Sequence, residues 1–540
     1  MKRIEVLDCT LRDGAYIVNG EFGSNAISGI MGGLQRAGID IIECGWLKDQ
    51  EHTGGTTYYH VPEDILPYMI MPKDPLITYV AMIDYNRYDC SRLPVCDGRT
   101  IDAIRVVFPR GKEKEGIAVC EQVKEKGYRV FIQLANTPGY SDRQLLDVIE
   151  MINRVKPECV SIVDTFGKMY PADLTHIMSI MDRNLDRSIR MGFHSHNNMQ
   201  LSFALAMQFI ENAKQLSSRR IVVDSSLCGM GRGAGNTCTE LLAEYVNRIH
   251  NSEYDMNAIM DTIDRYMLSF SEEYRWGYSI PYAIAGIYGC HVNNVAYLTR
   301  VHRTGSKDMK IIFESLPADK RIQYDYDNLE AVYAAYQNND VDDAQAMQGL
   351  KEEFGGKSVV CILPGRSSEL RKDEVDAAIA EKSSVVVGIN AIVPGYHYDY
   401  LFFTNEVKYE FASSAFPEEM KRSKHILTSN IRSENAAEAC VINYYNVVKR
   451  GWKYYDNSMI MFLRLMRRAL PEEIGIAGFD GYRTEVSEYA DSVLKPTLSA
   501  DEYAVMQEEI TDMLRDFKNT SAGDFRIRFI TASPFAKIFE

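Results

Sequence analysis

Apolar positions in the first 250 residues follow two alternating patterns. Short runs, apolar at nearly every position, recur at Ile4–Leu11, Ile39–Gly45, Leu76–Met82, Ile101–Phe108, Tyr128–Leu134, Cys159–Asp164, Ile189–His194 and Arg220–Ser225. Longer stretches with helical spacing lie between most of them, among them Ser24–Ala37, Gly116–Lys126, Ser141–Val155, Ala172–Met181 and Met199–Ala213. Strands that are apolar throughout are covered on both faces, as in parallel sheets. Such strand–helix units, eight of them in about 250 residues, match the size and count of a (β/α)8 TIM barrel. An open doubly wound sheet is the structural rival. The regular spacing, and the lack of a glycine-rich dinucleotide fingerprint after the first run, favour the barrel.

The rhythm is lost between residues 253 and 350. Asp255–Phe270, Tyr282–Leu298 and Asn328–Asn338 have helical spacing, and Asn338–Ala344 is polar and acidic. This region is expected to be a helical extension of the barrel (residues 1–252) ending in a linker. A second α/β pattern occupies residues 351–540. Strands are expected at Ser358–Leu363, Ser384–Ile389, Tyr400–Phe403, Ile426–Ser429, Cys440–Asn443 and Ile474–Ala477, with a helix at Val375–Glu381. Together these predict a separate, Rossmann-like α/β domain.

Composition narrows the class. The chain has 540 residues, 46% hydrophobic and 25% charged, which suits a globular protein and not a disordered or fibrous one. Acidic residues number 75 against 60 basic, a formal charge of -15, so nucleic acid is a poor partner. No run reaches the roughly 20 apolar residues of a membrane span, and the first ten residues lack the apolar core of a leader peptide. A cytoplasmic location is expected. The 11 cysteines form no CxxC pairs and are expected to be reduced.

Barrel enzymes carry their chemistry at the C-terminal ends of the strands. There the sequence places Arg12-Asp13-Gly14 after the first run, Glu43 in the second, His194-Ser195-His196-Asn197-Asn198 at the seventh, and a glycine-rich run, Gly229–Asn236, after the eighth. Residues two apart on an extended segment point the same way, so His194 and His196 can share one metal ion. Closure of a barrel brings the first, seventh and eighth strands together, and so Asp13, the two histidines and Asn236. Arg12 is either a salt-bridged strand-end arginine or a fork for a carboxylate or developing enolate. Glu43 either satisfies the barrel mouth or fixes Arg12. The glycine run is a flexible turn or a close approach to a ligand.

These segments resemble the DRE-TIM metallolyase superfamily. The likeness rests on Leu7–Gly14, Glu43, His194–Asn198 and Gly229–Asn236, in that order, over roughly residues 1 to 250. The superfamily includes 4-hydroxy-2-oxovalerate aldolases, hydroxymethylglutaryl-CoA lyases and pyruvate carboxyltransferase domains, and the aldolases are the nearest in pattern. Ile280–Leu298 also resembles the aldolase extension. The resemblance implies a divalent cofactor, Mn²⁺ or Mg²⁺, held by Asp13, His194 and His196 with Asn236 nearby. It implies a 2-oxo acid such as pyruvate and an aldehyde as small-molecule substrates, with Arg12 stabilising an enolate and Glu43 orienting Arg12. It also implies a homo-oligomer. One departure stands out: Tyr16 occupies the position where the aldolases have a histidine base. A phenol is a weak base near pH 7, so Tyr16 is expected to bind hydroxyls or relay through water. Thr165, in Asp164-Thr165-Phe166-Gly167, is a candidate for the substrate carboxylate or a simple turn cap. Cys228 lies near the position of the lyases' catalytic cysteine, but its spacing to Asn236 differs, which favours a small buried residue.

In the second half, Pro364-Gly365-Arg366-Ser367-Ser368, Asn390, Asn405 and Ala477–Tyr482 fall after expected strands. This layout weakly resembles the nucleotide-sugar-binding fold of sialyltransferase-like proteins, which implies a nucleotide or sugar ligand. His397 and His425 read as isolated loop residues. The leading expectation is a metal-dependent aldolase, a carbon–carbon lyase, acting on a 2-oxo acid and an aldehyde, the latter sugar-derived if the second domain handles sugars. The alternatives are a Claisen-type acyl-CoA enzyme on the same barrel and a sugar-nucleotide-binding protein with an inactive barrel.

Overall fold

The computed structural model describes residues 3–216, 219–274, 276–302, 304–337, 339–432, 439–482, 500–521 and 523–540. They divide into two compact units, residues 1–295 with 317–324, and residues 296–316 with 325–540. The helical region expected to stand between the two domains is therefore shared between them.

The first unit is a closed barrel. Its strands are β1 (Ile4–Asp8), β2 (Ile41–Leu47), β3 (Thr78–Asp84), β4 (Ala103–Pro109), β5 (Arg129–Ala135), β6 (Cys159–Asp164), β7 (Arg190–Ser195) and β8 (Ile221–Ser225). Each pairs in parallel with the next, and β8 pairs with β1 along Ile4–Asp8 to close the cylinder. All eight expected strands are present, with ends shifted by a few residues. A two-residue strand, Tyr58–Tyr59, adds beside β2 and was not expected.

The period-2 pattern of the strands sets what fills the barrel. Leu7, Ile41, Ala103, Phe131, Cys159 and Val222 form one apolar cluster inside it. Two residues further along the same strands, and so on the same face, stand Glu43, Arg105, Gln133, Ser161 and Asp224, all buried. The interior thus changes from an apolar layer to a charged one toward the C-terminal mouth. The residues between them, such as Ile42, Ile104, Ile132, Val160 and Val223, face outward into the main core with the helices. Of these helices, Ser24–Ala37 and Asp142–Val155 lie within a residue of expectation.

The extension departs from the expected helices. Met256–Tyr274 is helical but widens to a π turn at Ile263–Met267. The helix expected over Tyr282–Leu298 is two, Ile280–Tyr288 and Val292–Val301. Gly289 ends the first with a left-handed φ of 58°, and the chain turns at Cys290-His291. The helix expected to end at Asn338 spans Tyr326–Gln337, and Asn338 lies outside the described residues.

The second unit holds a seven-stranded parallel sheet: β9 (Ser358–Ile362), β10 (Val385–Ile389), β11 (Tyr400–Phe403), β12 (Lys424–Thr428), β13 (Cys440–Ile442), β14 (Glu473–Ala477) and β15 (Arg526–Phe529). The order is β13-β12-β11-β10-β9-β14-β15. The chain winds outward from β9 in one direction, then returns to β9's other side. Both faces are buried: Val359, Cys361 and Val387 belong to one core cluster, and their neighbours Val360, Ile362 and Val386 to the other. The expected open α/β architecture is present, with β15 as an unforeseen edge. His425 lies on β12, not in a loop; its Nε2 is 2.9 Å from the Met420 carbonyl. Asp343, expected in a solvated linker, is buried and accepts both terminal nitrogens of Arg468 at 3.0 Å. Among the described residues no helix is long and apolar enough to cross a membrane.

Candidate active site

Asp13 sits on the short helical turn Thr10–Asp13 that follows β1, and its carboxylate is 1% exposed. His194 ends the inward face of β7, and His196 follows two residues later. Asn236 is brought in by lacing between loops: the Asn197 amide donates to the Gly235 carbonyl at 2.7 Å, and His196 bridges to Asn236. Asn198 joins the same loops from within. Its Nδ2 donates to Phe166 O and its Oδ1 accepts from the Ala234 amide, both at 2.9 Å.

Asp13, His194 and His196 each offer one ligand atom, all within 4.8 Å of one another. Two buried atoms at this spot have no hydrogen-bond partner, His196 Nδ1 and Asn236 Oδ1. Asn236 turns its other end to Asp13, Nδ2 donating to Oδ2 at 2.6 Å. His194 Nδ1 lies 3.0 Å from Asp224 Oδ2, which leaves Nε2 as its ligand atom, an outer carboxylate orienting an imidazole as in many metal sites. Burial pulls His196 down to about 4, so the ring is neutral and able to ligate at pH 7. Burial would raise Asp13, but Arg12 and the two imidazoles outweigh it and hold the carboxyl ionised, well below the usual range. Carboxylate, imidazole and carboxamide oxygen suit a divalent ion.

The charged layer beneath is continuous. Arg12 donates through Nε to Glu43 at 2.9 Å and through Nη1 to Asp13. Glu43 Oε2 also accepts from Arg105 Nη1 at 2.7 Å, and Arg105 Nη2 pairs with Asp224, the partner of His194. Glu43 is thus paired with Arg12 and is itself held by Arg105. Asp13, Glu43 and Asp224 face Arg12 and Arg105 here, with every one of the five at most 5% exposed.

Tyr16 stands at the mouth, nearly half exposed, edge-on to Trp46 at 6.0 Å with the Arg232 guanidinium 4.9 Å from its ring centre. The enclosing mouth pushes its phenol up, against the pull of Arg232, so it is a proton-bearing donor at pH 7. Thr165 Oγ1 accepts from the Asn136 amide at 2.7 Å, which ties it to the loop after β5 and leaves the hydroxyl proton to donate. Cys228 is half-buried with a left-handed φ of 53°, and burial pushes its thiol up to about 12, unlike a reactive thiolate.

Sequence reasoning missed Arg105, Asp224 and His291. A signal for the first two was present: a lone charge at an inward position of an otherwise apolar strand, in Ala103–Pro109 and Ile221–Ser225. His291 had none, because only the helix break delivers it to the mouth. Its Nε2 accepts from Arg232 at 2.8 Å, and its ring packs on Tyr324 at 4.7 Å. Burial, then Arg232, draws it down to about 3.

Residues 112–265 match the HMGL-like family. An oxaloacetate decarboxylase of Mycobacterium tuberculosis is 27% identical over 278 residues, 50% of this chain and 77% of that protein. A 4-hydroxy-2-oxovalerate aldolase of Pseudoalteromonas translucida is 24% identical over 278 residues, 50% of this chain and 78% of the relative. A solved hydroxymethylglutaryl-CoA lyase from Pseudomonas aeruginosa superposes with a TM-score of 0.37 at 18% identity, covering 49% of this chain and 91% of that one. The likeness of the second half to a nucleotide-sugar-binding fold finds no support among them. Residues 112–265 thus match an HMGL-like domain, and the barrel is similar to members of the DRE-TIM superfamily.

Proposed function

We propose that the barrel is a divalent-metal-dependent carbon–carbon lyase that acts on a 2-oxo acid, splitting or joining pyruvate and an aldehyde. The observation that carries this reading is the convergence of Asp13, His194 and His196 on one point, with Arg12 held beside it by Glu43. Asp13, His194, His196 and the Asn236 carboxamide oxygen would hold Mn²⁺ or Mg²⁺. Such an ion polarises the oxo group and stabilises the charge left when the neighbouring carbon–carbon bond opens.

The chain's own groups do the rest. Glu43 and Asp13 take two of Arg12's nitrogens, and Nη2 has no protein acceptor among the described residues. That nitrogen is the donor for the oxygen on which negative charge develops, and the pairing fixes it before substrate arrives. Glu43 and Arg105 act on Arg12 as positioning residues. Tyr16, a protonated phenol, donates a hydrogen bond to the substrate hydroxyl or carbonyl oxygen, and a water accepts the hydroxyl proton released on cleavage. Thr165 binds the substrate carboxylate through its free hydroxyl proton.

A second reading, decarboxylation of a 2-oxo dicarboxylic acid, is favoured by Tyr16. Loss of carbon dioxide needs no base to remove a hydroxyl proton, so a phenol there is no handicap. It agrees with the name of the oxaloacetate decarboxylase relative.

The test is exchange of the pyruvate methyl protons in D2O with and without Mn²⁺, for the wild type and His194→Ala. Metal-dependent exchange that His194→Ala abolishes is expected, since both reactions pass through an enolate. Exchange that is absent, or indifferent to metal and to His194, would reject the lyase. Release of carbon dioxide from oxaloacetate then separates the two readings.

A further inference from the structure

We infer that the second unit contains its own binding site for a small, neutral, hydroxylated molecule of three or four carbons, at the carboxyl edge of its sheet. In open parallel sheets, ligands bind outside the carboxyl ends of the strands where the winding reverses. Here that place is unambiguous. The chain winds away from β9 toward β13 and returns on the other side at β14, so the loops after β9 and β14 part to opposite faces. A cavity of about 120 Å³ lies between them, lined by Pro364 and Gly365 after β9, Phe479 after β14, Asn390 after β10 and Asn405 after β11.

Two further lining residues carry buried polar atoms that nothing among the described residues satisfies. Tyr454 is 4% exposed and its hydroxyl has no partner there. His302 is 3% exposed; Glu330 takes its Nε2 at 2.5 Å, and Nδ1 has no partner among the described residues. A buried polar group with no partner is destabilising, so two at one cavity point to a ligand that supplies the missing hydrogen bonds. Asn405 adds a third. Its Oδ1 caps the helix Glu406–Ala415, accepting from the Lys408 amide at 3.1 Å, which leaves the Nδ2 donor at the rim.

Charge and size define the ligand class. Among the described lining residues Asp456 and Asp480 stand against one lysine, Lys408, so an anion such as phosphate is disfavoured. The Asp480 carboxylate is already engaged, by the Ser367 amide at 2.7 Å and by the Ser367 hydroxyl. The wall also includes the polar Thr404, Asn457 and Ser458 and the apolar Leu363, Ile389, Phe479 and Ile510. At about 30 Å³ per water, the space holds roughly four waters, somewhat less than a cavity that takes benzene. The enclosed part of a ligand is therefore about five or six heavy atoms, the size of a three- or four-carbon polyol or hydroxyketone.

Calorimetric titration of the full chain with dihydroxyacetone, and separately with inorganic phosphate, tests this. Variants are Tyr454→Phe, which removes only the hydroxyl, Asn405→Asp, which keeps the helix cap but loses the amide donor, and His194→Ala in the barrel. Saturable dihydroxyacetone binding is expected. It should survive His194→Ala and weaken about tenfold in each of the other two, the loss of one ordinary hydrogen bond. If Tyr454→Phe does not fold, judged by its melting curve, Asn405→Asp alone decides. The inference is overturned by binding that is lost in His194→Ala, by binding indifferent to the second-unit variants, by displacement with phosphate, or by no saturable heat into the millimolar range.

Discussion

At the scale of single residues, the barrel interior is a chain of dependent charges. Arg105 has no exposure and touches both Glu43 and Asp224, one partner leading to Arg12 and the other to His194. Removing one member of a buried ion network leaves the others unpaired, at about 3–5 kcal/mol. Arg105→Met should therefore lower the unfolding free energy by that amount and loosen metal affinity as well, although Arg105 touches no ligand position directly. Equilibrium unfolding with a parallel Mn²⁺ titration reads both. His291 gives a pH signature. Its folded pKa, about 3, lies below the ordinary value near 6.5. The unfolded chain then binds the proton first as pH falls, so this residue's contribution is complete above pH 6.5 and is lost on acidification. Between pH 6.5 and 5 the loss amounts to about 2 kcal/mol. Stability measured across that window should fall less steeply in His291→Gln than in the wild type; equal slopes would refute the assignment.

At the scale of elements, the glycine-rich loop after β8 earns its composition by closeness. A Cβ on Gly231 would lie 2.2 Å from Asn236 Nδ2 and 2.4 Å from Asp13 Oδ2. Gly235 has a φ of 84°, and a Cβ there would meet the Gly229 carbonyl at 2.0 Å. The sequence offered a flexible turn or a close approach to a ligand; the packing adds a third reason, closeness to the protein's own Asp13 and Asn236. Gly231→Ala should fold, since the barrel ladders do not involve it, yet displace Asp13 and Asn236. A tenfold or greater rise in the Mn²⁺ dissociation constant, with an unchanged far-ultraviolet spectrum, is expected. Unaltered metal affinity would mean that the loop yields and the ligands do not depend on it. The same scale shows where periodicity misleads. Ile280–Leu298 keeps an apolar helical spacing through Gly289, and only the left-handed turn there stops one long helix from carrying His291 away from Arg232.

At the scale of the whole molecule, two compact units with separate cores make separate responses the expectation. A ligand that binds only folded protein stabilises it, by about 2.7 kcal/mol at a hundred times its dissociation constant. In scanning calorimetry with Mn²⁺, the transition belonging to the barrel should rise by several degrees, and a transition belonging to the second unit should not move. A shift of every transition together would mean that the units unfold as one.

The sequence alone determined the barrel, its eight strands and the meeting of Asp13, His194 and His196. Each depends on local regularities: period 2 in strands, 3.6 in helices, and strand ends that a parallel barrel gathers at one mouth. Asp13, His194 and His196 were legible because their strand positions fix where they point. The pairing of Arg105 with Glu43 and Asp224 was not, because several charges face inward and only the closed cylinder decides which of them meet. The second unit's cavity was equally out of reach. It exists where loops after β9, β10, β11 and β14 converge, and that depends on strand order, which hydrophobic pattern leaves open because every buried parallel strand carries much the same pattern.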